Sequence, residues 1–489
     1  MKKSVEEHDD KVVIIGAGPA GLTAAYQLCK LGKKSIILEK DYLVGGIART
    51  VNYKNYFFDI GGHRFFTKIN EAKHMWQEVL HDNLLHRKRL SRIYYNKKFF
   101  YYPIRLLNAL SGLGIWNSLM IISSYIRAHV FPYKHEETFE HWITNRFGKR
   151  LYDTFFKSYT EKVWGIPCSE ISAEWAAQRI KGLSLRSALK NTLMRPYKKN
   201  NGNIAKTLIN SFHYPKLGPG MMWETVSSIV QENGSIVHLG SEVETIRWNK
   251  KKKRVDSIEV RANGQKTLFF GKDFISTMPI RELIQKIHPP VPEKVLEAAN
   301  NLSYRDFLTV ALIVNQPDLF PDNWIYIHDP LVKLGRVQNF KNWSPDMVAN
   351  QNKSCLGLEY FCFEGDELWN MRDEDLIELG KRELEIIGLV KSADVEDGSV
   401  VRMPKAYPAY DSKYRAMLSI IRQYLKELTN LQLIGRNGLH RYNNQDHSML
   451  TAMLAVENIH GANHDLWSVN EENEYHEDST SSLPSFRRE

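Results

Sequence analysis

Residues 11–30 read KVVIIGAGPAGLTAAYQLCK, and this stretch decides the fold. A short apolar run leads directly into Gly16, Gly18 and Gly21, and a helical apolar pattern follows. In this spacing the first glycine permits a tight turn, the second lets the backbone approach a pyrophosphate, and the third lets helix and strand pack closely. A second apolar run ends in Glu39, which is placed to accept hydrogen bonds from a ribose diol. The stretch therefore predicts a strand, a turn and a helix that bind a dinucleotide, with its diphosphate at the helix N-terminus.

The residues after Glu39 indicate which dinucleotide binds. Residues 39–50 read EKDYLVGGIART, with a glycine pair and an arginine near the end. This pattern resembles the second phosphate-contacting loop of FAD proteins in the amine oxidase and glutathione reductase superfamily; the alternative is an ordinary surface turn with a solvated arginine. The resemblance implies FAD as the cofactor. The contacts predicted in this part of the chain are Gly16, Gly18, Pro19, Ala20, Gly21, Glu39, Lys40, Gly45, Gly46 and Arg49.

The composition indicates a basic globular chain. Its 489 residues carry a formal charge of +10, and 43% of them are hydrophobic, which supports large buried cores. A positive charge is compatible with nucleic acid, an anionic membrane or an anionic small substrate. However, the basic residues are spread along the chain except at residues 250–254, which lie between two strand-like stretches. We interpret that run as a solvated hairpin turn, and we expect an anionic small molecule and no nucleic acid as partner.

Cysteine usage and the N-terminus indicate a cytoplasmic protein. Cys29, Cys168, Cys355 and Cys362 form no C-x-x-C pair, so the sequence predicts neither a metal site nor a disulfide framework. The opening residues MKKSVEEHDDK lack the apolar segment of a signal peptide. Both observations fit a reducing cytoplasm.

Residues 106–126 are the one stretch apolar enough to suggest a membrane. Asn108, Gly112, Gly114 and Asn117 interrupt it, so we interpret it as a buried or surface-packed helix pair, with peripheral membrane contact as the alternative. No stable membrane insertion is expected. Residues 470–489 are polar, and we predict that they are disordered.

The order of these patterns predicts an α/β fold with discontinuous domains. A Rossmann-like FAD-binding domain of the glutathione reductase type is interleaved with a mainly helical domain and an antiparallel-sheet substrate domain. Helical periodicity dominates residues 71–191, broken by the strand-like residues 92–102 and by Pro103, and residues 302–363 alternate like an antiparallel sheet. The predicted FAD-binding domain takes residues 1–70, 215–290 and 430–465, the helical substrate domain takes 71–214, and the sheet with its helices takes 291–429.

Five further motifs carry a more specific family resemblance. They are GGHRFF at residues 61–66, SYTEKVWGIP at 158–167, YPKLGPGMMW at 214–223, AYPAY at 406–410 and IGRNGLHRYNNQDHSM at 434–449. Together and in this order they resemble the flavin-dependent UDP-galactopyranose mutases, over nearly the whole chain. The wider superfamily, which includes protoporphyrinogen oxidase and the amine oxidases, shares the nucleotide fingerprint but in general not the middle motifs.

The resemblance implies a redox-neutral isomerisation in the biosynthesis of cell-surface polysaccharides. Such mutases interconvert the pyranose and furanose forms of a nucleotide-diphosphate sugar, and the N5 atom of reduced FAD attacks the anomeric carbon. NADH or NADPH is a candidate reductant. The diphosphate leaving group requires cationic forks that hold it in place. The sugar, the base of the nucleotide and the number of subunits stay open, and a homo-oligomer is among the options.

The resemblance also implies a set of site residues. Arg179 and Arg336 are similar to the arginines that grip the diphosphate, and His63 is similar to the histidine whose backbone carbonyl faces the flavin N5. The implied substrate contacts are Phe66, Trp164, Tyr326, Trp343, Tyr407 and Tyr442. The implied flavin contacts in these motifs are Gly61, Gly62, His63, Val243, Gly435, Arg436, Asn444, Gln445, Asp446, Ser448 and Met449. Each of these residues also has a purely structural alternative: an arginine could lie on a helix surface, a tyrosine could be half-buried at a sheet edge, and a tryptophan could belong to the core.

Some positions depart from the family pattern. Arg64 and Lys68 replace less basic residues in the glycine-loop motif, and Trp343 stands where eukaryotic members have a tyrosine. The loop at residues 441–444 is shorter than its eukaryotic counterpart. Two extra cations beside the flavin could recognise an anionic sugar substituent or stabilise reduced flavin as its anion, so they leave the identity of the sugar open.

Two other functional classes remain open from the sequence. One is an FAD-dependent oxidoreductase of the amine oxidase or protoporphyrinogen oxidase kind, and the other is a flavin-binding protein without catalysis. An oxidase consumes an electron acceptor in proportion to product, whereas a mutase needs prior reduction and then turns over without consuming reductant. A binding module does neither.

The fingerprint predicts that the purified protein is yellow and holds FAD without a covalent link. The measurement is the visible absorption spectrum, followed by identification of the flavin released on denaturation. A colourless protein that binds no added FAD would contradict the whole interpretation.

Overall fold

The computed structural model describes residues 5–6, 11–102, 108, 112–173, 211–411 and 413–470. These residues form the α/β fold predicted from the sequence, with one parallel sheet and a larger, mostly antiparallel sheet. Two predictions concern residues outside this description. They are Arg179 as a diphosphate ligand and, apart from Asn470, the tail at residues 470–489 that we predicted to be disordered.

A five-stranded parallel sheet forms the centre of the nucleotide-binding part. Its strands lie in the order Ile236–His238, Ser35–Leu38, Val12–Ile15, Asp273–Ser276 and Leu431–Leu433. The middle strand is the apolar run that opens the fingerprint, and all its residues are buried. An unbroken aliphatic run is typical of a strand covered on both faces. All five strands come from segments that we assigned to the FAD-binding domain, although the domain boundaries themselves stay a prediction.

The first helix, Pro19–Lys30, packs against the helices Gly220–Glu232 and Gln445–Ile459. Its close approach to the middle strand depends on Gly21, because a Cβ atom there would lie only 1.9 Å from the carbonyl oxygen of Gly16. The glycine therefore keeps the N-terminus of the first helix directly at the end of the middle strand.

A second sheet continues from the same segments. Its strands lie in the order Val5–Glu6, Gln265–Phe270, Arg254–Ala262, Glu242–Asn249 and Ile287–His288. Glu242–Asn249 and Arg254–Ala262 form an antiparallel hairpin, and the basic run lies at its exposed turn. The predicted solvated turn is thus confirmed.

A seven-stranded sheet forms the other half of the molecule. Its strands lie in the order Val395–Pro408, Tyr304–Val314, Ser354–Cys362, Arg336–Asn339, Trp324–Ile327, Ser91–Tyr95 and Lys98–Tyr101. The alternating pattern at residues 302–363 predicted its centre correctly, whereas the long edge strand Val395–Pro408 was not predicted. The last two strands correspond to the strand-like stretch predicted at residues 92–102 within the mainly helical range. They join this sheet because Ser91–Tyr95 pairs in parallel with Trp324–Ile327.

The remaining elements connect these sheets. Thr50–Tyr53 and Tyr56–Asp59 form a hairpin, and Leu84–Lys88 pairs antiparallel with the strand Ser211–Pro215, which is distant in sequence. The other α-helices are Asn70–Leu80, Ile115–Val130, Phe139–Phe147, Lys149–Leu151, Ser158–Trp164, Ile280–Lys286, Glu293–Asn300, Phe340–Trp343, Glu367–Asn370, Asp373–Ile386, Tyr414–Leu425 and Gly435–Gly438. A π-helical turn, Tyr152–Lys157, joins two of them.

The described residues of the apolar stretch at 106–126 are helical at 108, at 112–113 and again from Ile115, with Gly114 at a positive φ angle before Ile115. Most of the apolar side chains on the helix Ile115–Val130 are exposed, so of the two predicted arrangements, buried or surface-packed, this helix shows the surface-packed one. Polar interruptions are compatible with an exposed helix as well as with a buried pair, so the sequence pattern could not separate the two. Across the described residues, no helix combines the length and the apolar character needed to cross a bilayer.

Candidate active site

The N-terminus of the first helix forms a cradle of backbone groups. Gly18 is its N-cap residue, and no side chain caps the helix. Gly46 lies across from it, and a Cβ atom on Gly46 would lie 3.3 Å from the Cα atom of Gly18. The first N–H groups of a helix need acceptors and carry partial positive charge, so this end suits the diphosphate of a dinucleotide.

Glu39 lies at the end of the second strand of the parallel sheet, and its carboxylate is buried. It accepts hydrogen bonds from the backbone N–H groups of Ala17, at 2.7 Å, and Asp41, at 2.9 Å. These bonds fix the acid beside the fingerprint turn. Its predicted contact with a ribose stays a prediction.

The second predicted phosphate loop lies against the first. The N–H group of Gly45 donates to the carbonyl oxygen of Ala17 at 2.8 Å, and Gly45 and Gly46 both have positive φ angles. Arg49 forms an ion pair with Asp41, and Lys40 is exposed. The loop therefore extends the cradle through its backbone, while Arg49 is engaged by the neighbouring acid.

The C-terminal motif completes the cradle. Gly435 has a φ angle of +81°, and a Cβ atom there would lie 3.0 Å from the Cβ atom of Ala20 on the first helix. Asn444 caps the helix Gln445–Ile459 through a capping box with His447. The remaining predicted flavin contacts in this motif are inside the protein: Asp446, Ser448 and Met449 are buried, and the side chain of Gln445 accepts a hydrogen bond from Trp223. Val243 is buried in the strand Glu242–Asn249.

The glycine loop at residues 61–63 lies flat on the seven-stranded sheet. A Cβ atom on Gly61 would lie 3.4 Å from the ring of Phe307, and one on Gly62 would lie 2.6 Å from the amide nitrogen of Gln338. The N–H group of Gly62 also donates to the carboxylate of Glu359. Because glycine has no side chain, the loop can take this position between the two halves of the molecule.

Asp59 anchors the same loop from its other side. Its buried carboxylate accepts hydrogen bonds from the hydroxyl groups of Tyr214, at 2.7 Å, and Thr50, at 3.0 Å, and from the backbone N–H of His63. Burial raises the pKa of Asp59 to about 7, although these hydrogen bonds oppose the shift.

His63 is a neutral side chain beside two arginines. Burial, together with the charges of Arg436 and Arg336, lowers the pKa of His63 to about 3. Its Nδ1 atom is buried and has no hydrogen-bond partner among the described residues. A buried polar atom of this kind calls for a partner, and a bound group is one way to supply it.

Arg336 lies opposite Tyr326 on the paired strands Trp324–Ile327 and Arg336–Asn339. Its guanidinium lies 5.2 Å from the centre of the Tyr326 ring, and its Nε atom lies 3.4 Å from Oε2 of the fully buried Glu359. Burial alone would lower the pKa of Arg336, but Glu359 and the surrounding tyrosines raise it well above its usual value. Arg336 is therefore a permanent cation.

Aromatic side chains line the space beside Arg336. The rings of Tyr407 and Tyr442 stack with their centres 5.4 Å apart, and Trp164 lies 6.4 Å from Tyr407. The guanidinium of Arg436 lies 4.8 Å from the centre of the Tyr442 ring, and Arg436 donates to the backbone carbonyls of residues 443 and 406. Arg436 thus supports the stacked tyrosines, and its predicted contact with the flavin stays a prediction. Burial raises the pKa of Tyr407, so its hydroxyl group stays protonated.

The structure brings most of the predicted site residues together, with some exceptions. The assembled group is His63, Trp164, Tyr326, Arg336, Tyr407 and Tyr442. Trp343 lies apart from it, because the short helix Phe340–Trp343 turns this ring into the core, where its indole N–H donates to the carbonyl oxygen of Asn323 at 2.8 Å. We therefore withdraw Trp343 as a substrate contact. Phe66 and Lys68 are half-buried, and the guanidinium of Arg64 lies 5.6 Å from the centre of the Trp324 ring.

Three residues of the site were not predicted. Tyr159 hydrogen-bonds to Arg336 and stacks on His328 with ring centres 4.4 Å apart. Asp59 and Glu359 hold the glycine loop. Glu359 could have been found, because it is the only charged residue in the apolar run SCLGLEYFC. A lone acid in a fully buried strand requires a cationic or polar partner.

The residues present fit a flavin dinucleotide. The uncapped helix end and the facing glycines suit a diphosphate, and the flat glycine loop with the unpartnered Nδ1 atom of His63 leaves polar and apolar surface for a planar ring.

A family comparison decides the broad class of the protein. The sequence model of the family described as flavin containing amine oxidoreductase matches residues 19–440, well over half of the chain. The chain belongs to this family. It is therefore a flavin enzyme. The family match confirms that the cofactor is a flavin, and the identification of that flavin as FAD stays a prediction.

Solved structures support the fold. The chain is similar to reduced UDP-galactopyranose mutase, with a TM-score of 0.81 and 22% identity over 95% of this chain and 98% of that chain. It is also similar to putrescine oxidase with bound putrescine, with a TM-score of 0.61 and 15% identity over 93% of this chain and 100% of that chain. At these identities the likeness concerns the fold, and the resemblance stated from the motifs is confirmed in that respect.

Curated relatives match over short stretches only. Inactive all-trans-retinol 13,14-reductase from Danio rerio is 48% identical over 50 residues, which are 10% of this chain and 8% of that protein. An L-amino-acid oxidase from Crotalus adamanteus is 45% identical over 58 residues, 12% of this chain and 11% of that protein. The chain thus matches about a tenth of the length of these relatives.

The buried Asp59 predicts a specific pH dependence of stability. Its pKa is about 7 in the folded protein and about 3.9 in an unfolded chain. Between these values the folded state keeps a proton that the unfolded state releases, so the contribution of Asp59 to stability falls as pH rises, by on the order of 4 kcal/mol in total. Asp59→Asn removes this loss. We expect the difference in melting temperature, variant minus wild type, to be more positive at pH 8 than at pH 5.

The surface substitution Asp375→Asn is the control for this measurement, because Asp375 is exposed. Its melting temperature relative to wild type should change little between the two pH values. An Asp59→Asn difference that is the same at pH 5 and pH 8 would show that Asp59 titrates normally.

Proposed function

We propose that this flavin enzyme is a mutase that interconverts the pyranose and furanose forms of a nucleotide-diphosphate sugar. The observation that carries the proposal is a permanent cation, Arg336, enclosed by tyrosines opposite the glycine loop. This combination suits a dianionic diphosphate better than it suits an amine. The implied cofactor is FAD, because the cradle at the first helix has the features of a dinucleotide site.

Diphosphate binding is assigned to Arg336 with the hydroxyl groups of Tyr326, Tyr407 and Tyr442. A guanidinium presents two parallel donors to phosphate oxygens. Burial keeps Tyr407 protonated, so its hydroxyl group can donate a hydrogen bond without adding negative charge. Arg179 remains a second candidate for the diphosphate through the family resemblance alone.

The sugar is assigned to the space beside Trp164 and the glycine loop. An indole ring packs well on the apolar face of a sugar, and Trp164 lies next to Tyr407. When bound and reduced, the flavin supplies an electron-rich N5 atom as the nucleophile for the anomeric carbon. The protein would orient the sugar over that atom, keep water out and hold the diphosphate while the ring opens and closes.

His63 keeps the region next to the flavin ring free of an additional cation. Because its pKa is about 3, the imidazole is neutral at physiological pH. The positive charge of the site is then confined to the arginines, where it can face the diphosphate. We assign to His63 a positioning role through its backbone, which Asp59 holds by a hydrogen bond to its N–H group.

An oxidoreductase is the second candidate, and the family match favours it. The family is described as flavin containing amine oxidoreductase, and putrescine oxidase shares the fold. An amine substrate would be a cation, and the buried Arg336 would repel it. We therefore place the mutase first. A cytoplasmic location, NADH or NADPH as reductant and a homo-oligomeric state are parts of the same proposal.

Substitution of Arg336 tests the diphosphate assignment. Arg336→Lys keeps a positive charge next to Glu359 but loses the planar fork, so affinity for a nucleoside diphosphate should fall by on the order of 2 kcal/mol, roughly thirtyfold. The measurement is calorimetric titration with the tightest binder of a nucleoside diphosphate panel. Flavin content should stay at the wild-type value.

The matched control is Arg372→Lys, because Arg372 is an exposed arginine that pairs with Asp375 at the start of a helix. This control should bind the diphosphate like wild type. If Arg336→Lys also binds like wild type, the substrate assignment is wrong.

The redox stoichiometry separates the two candidate functions. Oxidised flavin is electron-poor at N5, so activity should appear only after reduction by dithionite or a reduced nicotinamide. Under nitrogen, one reduced sample should then convert many equivalents of a nucleotide sugar, as followed by chromatography of pyranose and furanose forms. One product per flavin, with turnover that resumes only when oxygen or another acceptor is added, would establish the oxidoreductase instead.

A further inference from the structure

The helix Ile115–Val130 exposes a broad apolar face. We define this apolar face by the exposed side chains of Ile115, Trp116, Leu119, Met120, Ile122, Ile126, Val130 and Phe131. The exposed fractions of Ile115, Trp116 and Phe131 are 84%, 75% and 76%. A soluble surface rarely carries so many large apolar side chains together, and such a patch marks a contact with another partner or with lipid.

The opposite side of this helix is the side that packs on the protein. Ile121 and Ala128 are its buried residues, and the helix contacts the helices Phe139–Phe147 and Lys149–Leu151. The contact is close, since a Cβ atom on Gly148 would lie 2.8 Å from the backbone nitrogen of Tyr125. The helix is therefore held in place with its apolar face directed outward.

From residue 112 to residue 135 the charge is of one sign, and acids begin at Glu136, which pairs with Arg146, and at the exposed Glu137. Residues 112–135 contain Arg127, Lys134 and two histidines, and they contain no aspartate or glutamate. Arg127 and Lys134 are exposed at the C-terminal end of the apolar face. A helix with an apolar face, interfacial aromatic residues and flanking cations is typical of a segment that lies in the surface of an anionic bilayer.

We propose that the apolar face docks on the surface of a membrane that contains anionic lipid. The helix has 16 residues, which extend over about 24 Å, so it is shorter than the roughly 30 Å hydrocarbon core and lies in the interface rather than across it. Trp116 at one end and Tyr133 beyond the other are amphipathic rings suited to the headgroup level.

The charge argues against a second copy of the chain as the occupant. A symmetric dimer through this face would place two copies of a segment whose charged side chains, Arg127 and Lys134, are both cations against each other, with no acid of residues 112–135 to compensate them. An anionic lipid surface supplies the opposite charge. This inference does not depend on the proposed reaction, because it rests on a surface outside the candidate active site.

The experiment is co-sedimentation of the full chain, with its flavin, with vesicles of neutral phosphatidylcholine or of phosphatidylcholine with phosphatidylglycerol. Wild type should sediment with the anionic vesicles and much less with neutral ones. Trp116→Ser with Phe131→Ser should lower the apparent affinity at least roughly tenfold, because both rings lose their place in the interface. Arg127→Glu with Lys134→Glu should also lower it at least roughly tenfold, since each cation near an anionic surface contributes to binding.

The control variant is Leu331→Ser with Ile386→Ser, because both are exposed aliphatic residues away from this helix. It should sediment like wild type. Flavin content and melting temperature of every variant show whether it is folded, and both charge-reversed residues are on the surface. Light scattering gives the mass in solution without lipid.

Three results would overturn the proposal. Wild type could fail to sediment with anionic vesicles, or it could bind neutral vesicles as well as anionic ones. In the third case, wild type forms an oligomer that dissociates on Trp116→Ser with Phe131→Ser, which would make the face a contact between copies of the chain.

Discussion

The candidate site depends on one buried ion pair, between Arg336 and Glu359. The carboxylate of Glu359 is fully enclosed and also takes hydrogen bonds from the side chain of Gln338, at 2.6 Å, and from the backbone of Gly62. Removing one partner of such a pair leaves an uncompensated charge in the interior and costs about 3–5 kcal/mol. The pair therefore fixes the arginine and the glycine loop to one common anchor.

This shared anchor explains how the two halves of the molecule form a single site. The glycine loop follows a strand of the nucleotide-binding part, whereas Glu359 and Arg336 belong to the seven-stranded sheet. Asp59 holds the loop on one side and Glu359 on the other. A shift of either half would change the position of His63 relative to Arg336. The geometry of the site therefore depends on how the two halves pack against each other.

The sequence predicted those features that depend on local patterns. The glycine spacing, the unbroken aliphatic strands and the lysine-rich turn each have a direct backbone consequence, and the structure agrees with them. Trp343 could not be placed correctly, because its position depends on a four-residue helix that turns it into the core. Tyr159 and Asp59 were missed because their roles arise from contacts between segments distant in the chain, whereas the position of Glu359 in an apolar strand was a local signal that we did not use. The sequence left open whether the helix Ile115–Val130 is buried or lies on the surface, because composition does not distinguish a covered apolar face from an uncovered one.

The parallel sheet has a consequence for the order in which the protein folds. Its edge strand Leu431–Leu433 pairs with Asp273–Ser276, which pairs with Val12–Ile15. Synthesis proceeds from the N-terminus, so the sheet cannot close, and Gly435 cannot reach the first helix, until nearly the whole chain has left the ribosome. Contacts so far apart in sequence form slowly and leave sheet edges exposed in the meantime. During synthesis the strand Asp273–Ser276 therefore has an unpaired edge until Leu431–Leu433 is made.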